Sequence, residues 1–210
     1  MQIIVLADAL QREELLGNTF SPDVVWVTNE KEFLQYKDAN AFIDLEFIST
    51  QTRIIFLAQF LPKPVIINSV IDTLEETSHS FIRINAWNSF LNYELIEACI
   101  NNEEVRKAAE DIFKVFNKKL EWLPDEPGFV TPRVISMIIN EAYFALSESV
   151  STKDEIDIAM KLGTAYPYGP FEWGNKIGLQ NIVTLLKKLS KKQQRYIPCE
   201  LLVQETDKAI

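Results

Sequence analysis

Short apolar runs recur through the first part of the chain and predict a series of buried strands. The runs occupy residues 2–6, 23–27, 41–45, 65–68 and 81–85. Stretches of helical character separate them, at residues 8–15, 29–36 and 50–61. Strands that alternate with helices form βαβ units around a parallel sheet. The first part of the chain is therefore predicted to be an α/β domain.

Beyond residue 102 the apolar positions follow a helical period. Residues 103–116 carry one continuous apolar stripe, made of Val105, Ala108, Ala109, Ile112, Phe113 and Phe116. Residues 120–123 are predicted as one further strand. The next segment, from Pro124 to Pro127, is rich in turn formers and predicts a domain boundary. The predicted domains are residues 1–125 and residues 126–210.

The second domain begins with a helix that is apolar on several sides, which is typical of a central, buried helix. Its main apolar stripe is formed by Ile135, Ile138, Ile139, Ala142 and Leu146. Two further apolar residues, Val134 and Met137, lie to the side of that stripe. No strand pattern follows it. The C-terminal part is therefore predicted to be all-α.

Capping and turn signals delimit the remaining helices. Thr152 and Glu155 have the spacing of a capping box, and Gly163 suits the end of that helix. Its inner face is predicted to be Ile156, Ala159 and Met160. A turn-rich aromatic loop covers residues 166–174, and a last helix places Leu179, Ile182, Val183 and Leu186 on one stripe.

Composition excludes several classes of function. The net charge of −9 and the sequence pI of about 4.8 argue against nucleic-acid binding, which requires a basic face. Cys99 and Cys199 are too few and too far apart for a metal or redox motif, so buried free thiols are expected. No apolar stretch approaches the roughly 20 residues that span a bilayer. A cytoplasmic protein with no membrane contact and no metal site is expected.

Several motifs occur in an order that resembles the C-terminal helical domain of the 3-hydroxyacyl-CoA dehydrogenases. They are Pro-Gly-Phe-Val at 127–130, Asn-Glu-Ala at 140–142, the acidic segment 154–157 with Ala-Met at 159–160 and Gly163, and Tyr-Gly-Pro-Phe-Glu at 168–172 with Ile-Gly-Leu at 177–179. Residues 195–202 are similar to the tail of that family. The resemblance implies a preceding Rossmann domain, which in this chain is a shortened, reduced parallel sheet.

The resemblance also implies an NAD site, and here the sequence departs from the family. A Rossmann site needs a glycine-rich first turn, so that backbone amides can approach the pyrophosphate. The first strand is followed by residues 7–12, Ala-Asp-Ala-Leu-Gln-Arg, and no glycine occurs before Gly17. No acidic ribose ligand is evident after the second strand. The expectation is that no residues bind a cofactor, and that NAD binds only if the alternative below holds.

The family's catalytic motif is His-Phe-Phe-Asn-Pro, with a glutamate twelve residues after the histidine. The matching residues here are Asn-Ala-Trp-Asn-Ser at 85–89 and Glu97. Asn85 thus replaces the histidine, and an amide has no titration that would make it a general base near neutral pH. Glu97 matches the family's glutamate in residue type and spacing. The simpler interpretation is that it is a solvated glutamate on a helix. His79 is predicted to lie in a surface turn.

Substrate-contacting positions are altered in the same way. The family's Asn-Thr-Ser-Ser segment corresponds to Asn-Ser-Val-Ile at 68–71, and the family's asparagine before the arginine of the long helix corresponds to Pro132. By resemblance, the remaining candidates for substrate binding are Asn68, Ser69 and Asn88.

These departures favour a degenerate, non-catalytic relative that acts as a dimerising or acyl-CoA-binding module, or as partner to a full enzyme. Its expected partner is a second copy, bound through the C-terminal helices. The alternative is an active NAD-dependent 3-hydroxyacyl-CoA dehydrogenase with atypical cofactor contacts. A third class, a regulatory protein that binds another nucleotide or a fatty acyl group, stays open.

Overall fold

The computed structural model describes residues 1–17 and 21–208. The chain divides into two compact units, Met1–Phe129 and Val130–Ile210. The division lies just after the turn-rich segment of residues 124–127. Within the described residues, no helix is long and apolar enough to cross a membrane.

The first unit contains a seven-stranded sheet in its described part, with the order β2-β1-β3-β4-β5-β6-β7. The strands are β1 Ile3–Leu6, β2 Val24–Val27, β3 Ala41–Asp44, β4 Val65–Asn68, β5 Ile82–Ile84, β6 Leu95–Cys99 and β7 Lys119–Trp122. Strands β1 to β5 pair in parallel, as predicted, whereas β6 runs antiparallel to β5. The pattern did not predict β6, because polar Glu97 interrupts its apolar residues.

The helices of the first unit are α1 Ala9–Leu16, α2 Gln51–Ala58 and α3 Arg106–Lys114, with 3-10 helices at Glu30–Tyr36 and Glu103–Val105. Strands β1 and β3 are buried at every position, as expected for continuous apolar strands in a parallel sheet. The predicted stripe of α3 is partly confirmed: Ala109, Ile112 and Phe113 join the core, while Ala108 is exposed.

The second unit is all-α in its described part, as predicted. Its helices are α4 Thr131–Ser147, α5 Lys153–Thr164, α6 Pro170–Ile177, α7 Leu179–Ser190 and α8 Glu200–Lys208, with a 3-10 helix at Gln194–Tyr196. Helix α4 is central and packs against α6, α7 and α8. Its buried face includes Ile135, Ile139 and Ala142, whereas Val134 is exposed.

Two motifs of the second unit have a direct structural explanation. Asp157 is buried on α5, and its carboxylate accepts hydrogen bonds from the backbone N–H groups of Phe171 at 2.8 Å and Glu172 at 3.1 Å. These are orphan donors at the start of α6. Asn140 donates to the Ile197 carbonyl at 3.0 Å and accepts from the Cys199 N–H at 2.7 Å. It thereby fixes the C-terminal tail against α4.

Helix α5 confirms one prediction and corrects two. The capping box is present, because Glu155 accepts from the Thr152 N–H at 3.1 Å and Thr152 accepts in return. Ala159, predicted on the inner face, is exposed. The helix also continues past Gly163 to Thr164, and its C-cap is Ala165, which adopts a left-handed φ of 57°.

Replacing Gly169 by alanine should destabilise the second unit. A Cβ at this position would lie 2.3 Å from the Asp157 carboxyl group, so either the carboxylate or the α6 backbone must move. We expect a loss on the order of 1–3 kcal/mol, as for overpacked sites, measured by urea unfolding.

The matched control is Gly163→Ala. Nothing lies within 4 Å of a Cβ there, and alanine is the better helix former, so stability should rise slightly. Equal stabilities of Gly169→Ala and the unmodified protein would contradict the proposed packing of Asp157 against Gly169.

Candidate functional site

Three of the predicted site residues come together where the parallel strands end. Asn68 is the last residue of β4, Asn85 directly follows β5, and Glu97 lies on β6 opposite Asn85. The Asn85 Nδ2 group donates to Glu97 Oε2 at 3.1 Å, and the Asn85 N–H donates to the Glu97 carbonyl at 2.9 Å. Glu97 is therefore half-buried on a strand, and its interpretation as a solvated glutamate on a helix is wrong.

Both ends of the Asn68 side-chain amide are hydrogen-bonded to backbone groups. Its Oδ1 accepts from the Ala86 N–H at 3.1 Å, and its Nδ2 donates to the Leu45 carbonyl at 3.1 Å. Ser69 is buried, and its hydroxyl donates to the Asp72 carbonyl at 2.7 Å. Asn88 is half-buried in the turn after β5. The structure thus places Asn68 beside the Asn85 segment, while the Ser69 hydroxyl is engaged within its own turn.

Buried Arg83 supports this region, and sequence reasoning missed it. Its side chain is 0% exposed and donates from Nε to the Ser69 carbonyl at 2.9 Å. It also forms an ion pair with Asp125, donates to the Glu126 carbonyl and lies over the Phe129 ring. The sequence did contain a signal for this role, since Arg83 lies inside an apolar strand. A charge buried there requires a partner.

The turn between β1 and α1 is filled by side chains that hydrogen-bond to its own backbone. Only Ala7 and Asp8 separate β1 from α1. Asp8 caps the helix by accepting from the Gln11 N–H at 2.7 Å, while Gln11 Oε1 accepts from the Asp8 N–H at 3.2 Å. Gln11 Nε2 also donates to the Leu45 carbonyl at 3.0 Å. A carboxylate therefore occupies the helix N-terminus where a dinucleotide site would hold its pyrophosphate.

Two further reactive side chains of the first unit are His79 and Cys99. His79 is exposed in the turn before β5, as predicted, and its ring contacts Asn101 at 3.0 Å. Burial, followed by the charge of Asp125, raises the pKa of Cys99 to about 11, so this thiol stays protonated near neutral pH. Among the described residues, no group of three or more His, Cys, Asp or Glu side chains could hold a metal.

Comparison with known proteins identifies the helical domain. The family model described as "3-hydroxyacyl-CoA dehydrogenase, C-terminal domain" matches residues 128–208. The 3-hydroxyadipyl-CoA dehydrogenase of Escherichia coli K12 is 39% identical over 109 residues, which is 51% of this chain and 23% of that protein. Residues 128–208 therefore match the C-terminal domain of the 3-hydroxyacyl-CoA dehydrogenase family.

A second relative in the 3-hydroxyacyl-CoA dehydrogenase family is the 3-hydroxybutyryl-CoA dehydrogenase of Bradyrhizobium diazoefficiens. It is 33% identical over 112 residues, which cover 52% of this chain and 38% of the relative. The matched region thus spans well under half the length of either curated relative.

The fold extends over the whole chain. The crystal structure of (S)-3-hydroxybutyryl-CoA dehydrogenase from Ralstonia eutropha superposes with a TM-score of 0.77 and 18% identity. The match covers 99% of this chain and 94% of that one. The first unit therefore has the sheet-based fold of that dehydrogenase structure.

Arg83→Ala should strongly destabilise the first unit. The substitution would leave Asp125 and several backbone carbonyls without their cationic donor, and breaking a buried ion pair costs on the order of 3–5 kcal/mol. The measurement is the urea midpoint. Lys107→Ala, which breaks an exposed ion pair with Asp111, should leave the midpoint nearly unchanged. Equal effects of the two substitutions would contradict the role of Arg83.

Proposed function

We propose that this chain is a non-catalytic member of the 3-hydroxyacyl-CoA dehydrogenase family. The observation that carries the proposal is Asn85, which stands in the histidine position with its amide already bonded to Glu97. A carboxamide does not titrate near neutral pH and cannot remove a hydroxyl proton. Glu97 therefore orients an amide where an active enzyme requires an imidazole.

Loss of the usual NAD site supports the same proposal. The Asp8 carboxylate caps α1, and it would repel a pyrophosphate at that helix N-terminus. Gln11 is buried and donates to the Leu45 carbonyl, so it cannot swing away without breaking a buried hydrogen bond. We infer that NAD does not bind in the family's usual manner.

The function left to such a chain is that of a dimerising or acyl-CoA-binding module. The matched family domain covers residues 128–208, and its packing residues Asn140, Asp157 and Gly169 are in place. The curated relatives are named for 3-hydroxyacyl-CoA substrates. A CoA thioester of this class is therefore the proposed ligand, to be held without being oxidised.

An active dehydrogenase is the second candidate. The Asn85–Glu97 hydrogen bond of 3.1 Å supports it, because this pair occupies the positions of the family's catalytic pair. Such an enzyme would need another base and another cofactor contact. An activity assay separates the two candidates.

Purified protein should not reduce acetoacetyl-CoA with NADH, even at high enzyme concentration. Loss of a general base alone typically costs about 10²–10⁴ in rate, and the closed first turn adds to this. Asn85→His should also stay inactive, because it leaves Asp8 and Gln11 unchanged. Turnover within an order of magnitude of about 10 s⁻¹, a typical enzyme rate, would establish the second candidate.

The proposed assembly is a homodimer through the C-terminal helices. An apolar stripe runs along one side of α4: Val134 is 50% exposed, Met137 is half-buried and Phe144 is 36% exposed. Val130 extends the stripe by one turn, and Glu141 alone interrupts it. A self-complementary two-fold contact commonly covers such a surface, and an obligate one buries about 2,000 Å² or more.

Val134→Asp or Met137→Asp should convert the dimer to a monomer. Each places a charge at the apolar centre of the contact, where burial without a partner is costly. Leu10→Asp is the control, because Leu10 is similarly exposed at 57% but lies in the other unit. Light scattering measures the mass. A mass of 24.2 kDa for the unmodified protein at micromolar concentration would contradict the dimer.

A further inference from the structure

Strand β2 lies at one edge of the sheet, and within residues 1–17 and 21–208 it pairs with β1 alone. Every residue of β1 and β3 is buried, whereas Val24, Val25 and Trp26 of β2 are only partly buried. The difference follows from position, because an edge strand has a neighbouring strand on one side only. Strand β2 is therefore an apolar strand whose outer side stays accessible.

The hydrogen bonds to β1 fix which backbone groups of β2 point outward. The Ile3 N–H donates to the Asp23 carbonyl at 2.8 Å, and Ile3 is in register with Val24. The bonds of a parallel ladder involve alternate residues of each strand, so Val25 also directs its backbone groups to β1. Val24 and Trp26 therefore direct their N–H and carbonyl groups away from the sheet.

Part of this outer row is already paired. The Val24 N–H donates to the Ser21 carbonyl at 3.3 Å, and the Thr28 N–H donates to Glu32 Oε1 at 3.2 Å. Between these two contacts, the described residues provide no partner for the N–H and carbonyl of Trp26 or for the carbonyl of Val24. A row of one donor and two acceptors remains, and an extended chain that adds to a sheet edge pairs with such a row.

The side chains of β2 do not protect this edge. Edge strands are commonly protected from further pairing by charged residues or proline, yet β2 has the sequence Val-Val-Trp-Val. Valine and tryptophan favour strands. The Arg12 guanidinium lies over the Trp26 ring, 4.9 Å from its centroid, so this residue is packed in place. A preorganised strand lowers the cost of binding a partner.

The charge of the chain favours one kind of partner for this edge. A second copy would bring together two chains that each carry a net charge of −9, and like charges repel. The free row of β2 is short, so its few hydrogen bonds oppose that repulsion only weakly. A segment that carries lysine or arginine is instead attracted to the acidic chain. The favoured partner is therefore an apolar extended segment with basic flanks.

We propose that β2 is a docking edge for an extended segment of another protein, which adds to the sheet as a further strand. The segment donates backbone N–H groups to the Val24 and Trp26 carbonyls and accepts from the Trp26 N–H. Its side chains alternate between the two faces of the sheet, and basic residues flank them. The contact does not depend on the proposed loss of catalysis, because it involves none of Asn68, Asn85 and Glu97.

The test is an NMR titration of the isotope-labelled full chain with the capped peptide Lys-Val-Thr-Val-Thr-Val-Lys. The amide signals of Val25 and Trp26 should shift and saturate by millimolar concentration. The same peptide with N-methyl groups on its central Thr-Val-Thr keeps the side chains and the charge but loses the donors. It should bind at least about tenfold more weakly. Glutamate in place of both lysines should also weaken binding, and added salt should remove that difference.

Two substitutions of Trp26 form the matched pair on the protein. Trp26→Ala removes the indole but keeps the outward N–H, whereas Trp26→Pro removes both. Because this N–H faces away from β1, proline leaves the ladder to β1 intact, as it does on natural edge strands. Followed through the Val25 signal, the peptide should bind Trp26→Pro at least about tenfold more weakly than Trp26→Ala, and urea midpoints check that both variants are folded.

Equal affinities of the plain and N-methylated peptides, or no shift of the Trp26 amide at millimolar concentration, overturn the docking edge. If Trp26→Pro does not fold, the two peptides decide the question on the unmodified protein. Equal binding of the lysine and glutamate peptides overturns the basic character of the partner. Light scattering tests the other occupant: a lower mass of Trp26→Pro than of Trp26→Ala would mean that β2 pairs with a second copy, which overturns the proposed partner.

Discussion

The carboxyl edge of the sheet depends on one constraint: buried backbone carbonyls and N–H groups must find partners. Here side-chain amides supply them. Gln11 and Asn68 both donate to the Leu45 carbonyl, and Asn68 also accepts from the Ala86 N–H. Three neighbouring strand ends are thereby joined by direct hydrogen bonds. An edge whose backbone groups are paired in this way has fewer of them left to bind a ligand.

Asn85 also satisfies neighbouring groups through its side-chain amide. A histidine paired with a glutamate can exchange protons, whereas Asn85 can only donate to Glu97 and accept from the Trp87 N–H. Asn85 holds the turn through these hydrogen bonds, and an amide does not titrate near neutral pH. Arg83 donates hydrogen bonds to the carbonyls of Ser69 and Val70, which follow β4. Packing and backbone satisfaction thus account for the hydrogen bonds of this region.

The motif residues of the C-terminal domain have structural roles. Asp157 caps α6 and fills the space that a side chain at Gly169 would need. Asn140 ties the tail to α4 through one donor and one acceptor. Each motif residue satisfies a buried polar group, and loss of such a partner costs about 1–3 kcal/mol. Family resemblance in this domain is therefore evidence of shared packing.

The sequence by itself determined the element types. Uninterrupted apolar runs such as Val65–Asn68 form strands, and the Thr152 capping box starts a helix, because both signals are local. Strand β6 escaped prediction because its stability comes from pairing with β5, a contact distant along the chain. Tertiary structure alone decided the partners of Arg83 and the meeting of Glu30 with Arg53. Charged side chains carry no periodic signal, and their roles depend on which partners the fold brings within hydrogen-bonding distance.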